Sequence, residues 1–471
     1  MAKLVEIFPV NNVRQLEPTI LREYDIRGIV GDNLNPADVR AIGQGFGTII
    51  IRNGGTSVAV GFDGRLSSIE LESAVVEGLC ASGLHVYRVG LGPSPLLYYA
   101  THILRADAGL MVTGSHNPPE YNGIKMILGG KSFFGDDIKK LGNMIAAGDF
   151  EMGVGSHEPS PILNKYISRL KRDFQGSKEL TIAWDNGNGA AGEALEALVK
   201  GLPGRHILLN EKIDGNFPAH HPDPTVEANL KQLKETVVSE GCDLGFAFDG
   251  DGDRIGLIDS QGRVLWGDQI MVILAKDVLS DIPGATIIAD VKASQVFFDE
   301  IERMGGNALM WKTGHSLIKA KMQETGSPLA GEMSAHIFFK HKYYGYDDAL
   351  YAAIRLMSII ASSDQTLDEM LDSMPQMLNT PELRFDCPED RKFQIVEEVA
   401  ERLKLISDIK VFDIDGVRVQ TKNGWWLLRA SNTQAVLVAR CESTNEEGLK
   451  FLIESLSQQL KASGLNPPTF S

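Results

Sequence analysis

Ser57-Val58-Ala59-Val60-Gly61-Phe62-Asp63-Gly64-Arg65 reads as a buried strand that ends in a polar turn, and an amphipathic helix follows from about Ser68 to Ser82. The same grammar returns at Leu180-Thr181-Ile182-Ala183-Trp184-Asp185-Asn186-Gly187, with a helix over Ala190 to Val199. It returns again at Thr286-Ile287-Ile288-Ala289-Asp290-Val291-Lys292, with a helix from about Ser294 to Met304. Each time a short apolar run ends near Asp and a helical pattern follows, which is the alternation of βαβ units with parallel strands. Further apolar runs, Asp107 to Val112, Asp243 to Phe248 and Pro328 to Ala330, each lead into a polar loop. In open α/β sheets ligand loops lie beyond the carboxyl ends of the strands, so three such units can aim three loops into one cleft.

Three stretches rich in Gly, Ser or Pro read as linkers: 153–161, 262–268 and 375–381. The last segment changes character. Short alternating runs (410–414, 417–421, 425–429) are separated by Asp415-Gly416 and Asn423-Gly424, pairs that favour type I′ hairpin turns. A closing helix is expected from about Asn445 to Leu460. The fold class is therefore α/β: three similar mixed α/β domains (1–158, 159–265, 266–377) and a C-terminal α+β domain (378–471) around a central cleft. The last domain is docked by a linker and able to move.

The 471 residues suffice for three or four domains, and 43% hydrophobic with 23% charged residues is ordinary for a globular protein. A net charge of −16 argues against a nucleic-acid or membrane-surface binder. It also requires that cations for an anionic substrate be gathered locally. Cys80, Cys242, Cys387 and Cys441 lie far apart, as in a protein of reduced thiols with no disulfide or zinc framework. Met1-Ala2-Lys3-Leu4-Val5-Glu6 carries an acid where a signal peptide would continue its apolar core, and no stretch reaches the length of a membrane span. A cytoplasmic protein is expected.

Asp249-Gly250-Asp251-Gly252-Asp253-Arg254 is the strongest local signal. Alternating carboxylates with glycines between them turn three hard oxygen ligands toward one point, which suits Mg²⁺ and leaves positions for phosphate oxygen. An EF-hand fails on spacing: counting from Asp249, the sixth position is Arg254 where glycine is needed, and the twelfth is Ser260 where glutamate is needed. Thr113-Gly114-Ser115-His116-Asn117-Pro118-Pro119 follows an apolar run, and its prolines prevent a helix directly behind it. Alone it is a tight turn; beside a metal loop its serine is a nucleophile for a phosphoryl group. Lys125, ten residues on, falls in an extended stretch and is a candidate for the same site. Tyr24 and Arg27 come early, and Lys312-Thr313-Gly314-His315-Ser316 offers a base and a cation together. Glu332 and Ser334, two apart in Gly331–His336, share one face if that loop is extended, a pairing that suits neighbouring sugar hydroxyls. Arg429-Ala430-Ser431-Asn432-Thr433 supplies fork, hydroxyl and amide donors able to wrap a phosphate. Each of these is also a plausible turn; together they are hard to explain as turns.

These motifs, with Asn216-Phe217-Pro218 and His220-His221-Pro222-Asp223-Pro224 between them, resemble in order and over nearly the whole chain the α-D-phosphohexomutases, most closely their bacterial phosphomannomutase/phosphoglucomutase branch. The resemblance implies phosphoryl transfer between O1 and O6 of hexose phosphates, through a phosphoserine at Ser115 and a bisphosphorylated sugar that turns over in the cleft. It implies Mg²⁺ on Ser115, Asp249, Asp251 and Asp253, catalytic roles for Lys125, Arg254, His315 and Arg27, and a hexose 1,6-bisphosphate as activator. Tyr24, Lys292, Glu332, Ser334 and His336 would hold the sugar; Arg429, Ser431, Asn432 and Thr433 the distal phosphate. A monomer acting on hexose phosphates, without nucleic acid or membrane partners, is expected. Two rivals share the reading: phosphoglucosamine mutase, where Gln is expected in place of Met333, and a non-catalytic sugar-phosphate-binding paralogue. Ala335 stands where relatives often carry glycine, and Gln434-Ala435 follows Thr433 where they often carry proline a residue later.

Overall fold

The computed structural model describes residues 14–404, 406–432 and 434–468. Three of its sheets repeat one plan. A central strand, Ser57–Phe62, Thr181–Asp185 or Thr286–Asp290, has a parallel neighbour on each side. One neighbour is reached through the helix that follows the central strand: His85–Leu91, Arg205–Leu209 and Asn307–Trp311. The other is the short strand Ala108–Val112, Leu244–Phe248 or Leu329–Gly331, buried along its whole length as helices on both faces require. From that strand the chain turns back into an antiparallel partner, Tyr121–Leu128, Ile255–Asp259 or Ile337–Phe339. The loops of these three hairpins, one per sheet, occupy the same topological position and carry Ser115, the aspartates 249–253 and Glu332.

The helices that make each repeat run Ser68–Ala81, Gly192–Val199 and Gln295–Arg303, within two residues of the sequence reading. The linker reading needs correction. Each of the three stretches contains a strand: Ser156–Pro159 joins the edge of the first sheet beside His85–Leu91, Val264–Leu265 joins the second, and Leu378–Asn379 joins the fourth. The first sheet thus runs one residue past the expected boundary at 158. Gly and Pro mark turns here, but the backbone between them still finds ladder partners.

The fourth sheet is antiparallel throughout, with Val436–Ser443 pairing Gly424–Ala430 and that strand pairing Val417–Thr421. Its closing helix is Glu446–Ala462, capped by Asn445. The expected type I′ turns are absent. Phe412 pairs with Arg418, so the first connection runs from 413 to 417, and Thr421 pairs with Gly424 around Lys422-Asn423. Positive φ falls on Gly416 (82°) and Gly424 (122°), not on Asp415 or Asn423, and a type I′ turn needs it at both central residues.

One apolar core runs through the first three units, from Leu96 and Tyr99 through Trp184 and Phe246 to Ile287 and the helix Ala349–Ser362. The fourth has its own core, built on Val399, Trp426, Leu428 and Leu456.

Candidate active site

Ser115 sits in a loop fastened from behind. Asp63, in the turn after the first central strand, accepts from Thr113 Oγ1 (2.8 Å) and Gly114 N (3.0 Å). Arg65, 2% exposed, donates to Ser115 O (2.7 Å), Asn117 O (2.5 Å), Pro118 O (2.5 Å) and Tyr121 O (3.0 Å). Gly114 must be glycine, since a Cβ there would lie 2.4 Å from Arg65 Nε. Ser115 is thereby held at φ +49°, in the left-handed region that non-glycine residues visit only when surroundings enforce it. Its Oγ donates to Asp249 Oδ2 at 3.1 Å.

Asp249, Asp251 and Asp253 are fully buried, each with an oxygen within 4.8 Å of the others'. Gly250 lets the loop approach Ser115, because a Cβ there would stand 2.4 Å from Ser115 O. Lys125 Nζ donates to Asp251 Oδ2 (2.7 Å) and Asp253 Oδ2 (2.5 Å), and Ser94 Oγ donates to Asp251 Oδ2 (2.5 Å). Burial works against the Lys125 ammonium, yet the two carboxylates hold its pKa well above the ordinary value. Burial, reinforced by Asp253 and Asp251, pushes the Asp249 carboxyl well above its usual range. Asp251 Oδ1 has no hydrogen-bond partner, and Asp253 Oδ1 has only an ion-pair contact with His336 Nε2 at 3.2 Å. Three buried carboxylates converging on one point, with Asp251 Oδ1 lacking any donor, fit a hard divalent cation.

The third hairpin loop contradicts the extended reading of Glu332 and Ser334. Ladder pairing persists to Gly331↔Ile337, so 332–336 must reverse the chain within a tight turn: Ala335 N donates to Glu332 O (2.9 Å) and Glu332 N to His336 O (3.0 Å). Ala335 takes φ +67°, the conformation that glycine adopts without strain. Both Glu332 oxygens are engaged, Oε1 by Gly314 N (2.6 Å) and Oε2 by His336 Nδ1 (2.9 Å), while Ser334 Oγ lies 3.4 Å from His336 Nδ1. Arg254 pairs its backbone with His336 and sets its Nε 3.3 Å from His336 Nε2, stitching the aspartate loop to this turn.

The two histidines differ in charge. Burial opposes ionisation of His336, but Asp253 and Glu332 push it up to about 9, so it is cationic at neutral pH. Burial, Lys319 and His336 hold His315 well below its ordinary value. His315 Nδ1 is buried without a hydrogen bond, 3.9 Å from Asp347 Oδ2, and Lys319 Nζ binds that carboxylate's other oxygen (2.9 Å).

The remaining expected residues close the cleft. Arg27 Nη1 donates to Asn117 Oδ1 in the Ser115 loop (2.7 Å), and its Nη2 pairs with Asp25. Tyr24 OH donates to Thr313 O (2.9 Å) and accepts from Asn432 Nδ2 (2.8 Å), joining the first, third and fourth units. Arg429 pairs with Asp415 (3.0 Å), which also accepts from Thr313 N (3.0 Å). Ser431 is buried, and Lys292 Nζ donates to Glu382 Oε2 (3.0 Å). Thr433 lies outside the described residues. Sequence reasoning missed the supporting residues Arg65, Ser94, Asp347, Glu382 and Asp415. Asp63-Gly64-Arg65 was visible as a strand-end turn, but nothing in it signals which backbone carbonyls the guanidinium will reach.

Four stretches match the models of phosphoglucomutase/phosphomannomutase: alpha/beta/alpha domain I over 18–152, domain II over 164–262, domain III over 266–378 and the C-terminal domain over 382–458. A phosphomannomutase/phosphoglucomutase of Pseudomonas aeruginosa is 43% identical over 447 residues, spanning 95% of this chain and 96% of that one. A phosphoglucomutase of Neisseria gonorrhoeae is 39% identical, spanning 94% and 96%. The crystal structure of a phosphoglucomutase/phosphomannomutase family protein from Burkholderia thailandensis superposes with a TM-score of 0.92 at 39% identity, covering 96% of this chain and all of that one. Fold, cleft and likeness agree, and the chain belongs to the phosphoglucomutase/phosphomannomutase family.

Proposed function

We propose that this protein reversibly moves a phosphoryl group between O1 and O6 of hexose phosphates, glucose and mannose alike, through a phosphorylated Ser115 and a bisphosphorylated sugar. The observation that carries the reading is the meeting of three equivalent hairpin loops: Ser115 Oγ 3.1 Å from Asp249, Lys125 between Asp251 and Asp253, and Arg254 against His336. Phosphoryl transfer asks a protein for positioning and charge compensation more than for covalent chemistry. Asp249, Asp251, Asp253 and an oxygen on Ser115 would hold Mg²⁺, which when bound would supply Lewis-acid stabilisation of phosphate charge.

Lys125 and Arg254 offset the charge of the transferring group from the protein side. The sugar hydroxyl attacks phosphorus in line as the Ser115 O–P bond breaks. His315, kept neutral, takes the hydroxyl proton and returns it in the reverse direction. Arg27 steadies the Ser115 loop through Asn117 and faces the transferred group. Tyr24 and Lys292 flank the sugar; Glu332, Ser334 and His336 read its 3- and 4-hydroxyls; Arg429, Ser431, Asn432 and Thr433 take the distal phosphate, with Arg429 exchanging part of its pairing to Asp415. Hexose 1,6-bisphosphate recharges Ser115 when the intermediate escapes. The unit of activity is the monomer, working in the cytoplasm.

The test is intact-mass analysis joined to a coupled assay on glucose, mannose and glucosamine phosphates, with and without bisphosphate. One phosphate on Ser115, lost with turnover in Ser115→Ala, is expected; an unmodified Ser115 or an active Ser115→Ala sinks the reading. A site that reads O3 and O4 barely senses C2. A specificity ratio between glucose and mannose 1-phosphates beyond about 10⁴ would therefore show a dedicated contact at C2 and overturn dual specificity.

A further inference from the structure

His116, His221 and Asp223 meet where the Ser115 loop touches the second unit, within electrostatic reach of Arg254, and the phosphoryl transfer proposed above gives them no role. One potential donor atom from each lies within 4.8 Å of the others. His116 Nδ1 is already 2.9 Å from Asp223 Oδ2. The carboxylate is oriented from behind: Asp223 Oδ1 accepts from Thr225 N (3.0 Å) and Thr225 Oγ1 (2.6 Å), which leaves Oδ2 to face the imidazoles. The segment carrying His221 is stiff. Pro222 and Pro224 flank Asp223, and the neighbouring His220 is pinned by Nε2 to Asp185 Oδ2 (2.9 Å) and by Nδ1 to its own loop at His221 O (3.0 Å). The His221 side chain itself is exposed and hydrogen-bonds the His116 backbone.

We propose that these three side chains form a second cation site, taking a borderline transition metal such as Zn²⁺ in preference to Mg²⁺, and that its occupancy restrains the Ser115 loop and inhibits the enzyme. Donor chemistry separates the two sites. The aspartates 249–253 offer only hard oxygens, whereas two imidazoles and one carboxylate match Zn²⁺ and are poor ligands for Mg²⁺. Bonds of about 2.0–2.2 Å place donors of one tetrahedron about 3.4 Å apart, a gap that closes when His221 exchanges its bond to the His116 backbone for the ion. Thr225 supplies the outer-shell bond that holds a ligating carboxylate in register. The fourth position stays open to solvent beside the exposed His221. The consequence follows from connectivity: His116 is bonded to Ser115, so an ion shared with His221 and Asp223 ties the nucleophile's loop to the second unit. The inhibitory part rests on the mutase reading; the binding part does not.

Equilibrium dialysis with Zn²⁺, and with Co²⁺ followed by its visible absorption, on the full-length protein in saturating Mg²⁺ tests both parts. One ion per chain is expected to persist against Mg²⁺. His221→Ala and Thr225→Val should each weaken it by about tenfold or more. Zn²⁺ should inhibit turnover in a way that added Mg²⁺ does not relieve, and His221→Ala, with unchanged turnover in the absence of Zn²⁺, should escape that inhibition. Displacement of the ion by Mg²⁺, or equal binding by the wild type and His221→Ala, overturns the site. Binding at this site without inhibition overturns the restraint of the loop.

Discussion

Lys125 shows how much one side chain can settle at the scale of a residue. It is the ammonium between two of three buried carboxylates, and removing it leaves uncompensated charge in a site closed to water. Lys125→Met is expected to lower stability by about 3–5 kcal/mol in the absence of divalent cation. Mg²⁺ should then restore more stability to the variant than it adds to the wild type, because the cation meets a more negative site. Thermal unfolding with and without Mg²⁺ measures this, and an equal response from both proteins refutes it. The aspartate loop was legible because alternating Asp and Gly has few structural uses. That Lys125 pairs with it was not, since the pairing exists only once Tyr121–Leu128 folds back beside Ala108–Val112. Ala335 is the opposite case. A residue that looked like a minor departure proves to sit at φ +67°, a conformation that glycine adopts without strain.

At the scale of elements, what repeats is a hairpin placed after the third strand of each sheet, and its loop is where side chains with chemistry collect. Periodicity exposed the strands and helices of these repeats but not the short strands inside the supposed linkers, which owe their form to neighbouring edges rather than to their own composition. The helix Ala349–Ser362 carries a second consequence. Its N-cap Asp348 accepts from Tyr351 N (2.9 Å), Tyr166 OH (2.9 Å) and Tyr343 OH (2.7 Å), and burial still pushes its carboxyl up to about 7. A carboxyl whose pKa is higher folded than unfolded contributes stability that is complete below the unfolded value of about 3.9 and is lost as pH rises through 7. The stability of the wild type relative to Asp348→Asn should therefore fall by about 2–3 kcal/mol between pH 5 and pH 8. Denaturant unfolding at the two pH values decides it; a difference that does not change with pH rejects the assignment.

In the whole molecule one apolar core joins the first three units, the first has a second core around Ile42, Phe46 and Ile124, and the fourth has its own. The fourth is anchored at the loop that carries Lys292: Arg418 Nη1 donates to Val291 O and Ala293 O (both 2.7 Å), and Arg440 Nη1 donates to Lys292 O (2.8 Å). Across the cleft the closure is thinner, and Tyr24 OH links Thr313 to Asn432 by single hydrogen bonds. Tyr24→Phe should shift the balance toward an open cleft, at about 1 kcal/mol for a bond of this kind, and so raise KM about fivefold with a smaller change in kcat. Small-angle scattering should show a larger radius of gyration for the variant; unchanged scattering together with unchanged KM counts against this role.

By itself the sequence determined the strand–helix repeats, the aspartate loop and the order of motifs along the chain, because each depends on residues within one turn or one strand. Which of those motifs touch was decided only by tertiary structure. Ser115 and Asp249 are far apart in sequence yet 3.1 Å apart in space, and the join between Asn432 and Tyr24 spans nearly the whole chain. The same holds for the charge of the histidines. His315 and His336 are the same residue type, and only burial beside Lys319 in one case and between Asp253 and Glu332 in the other keeps one neutral and makes the other a cation.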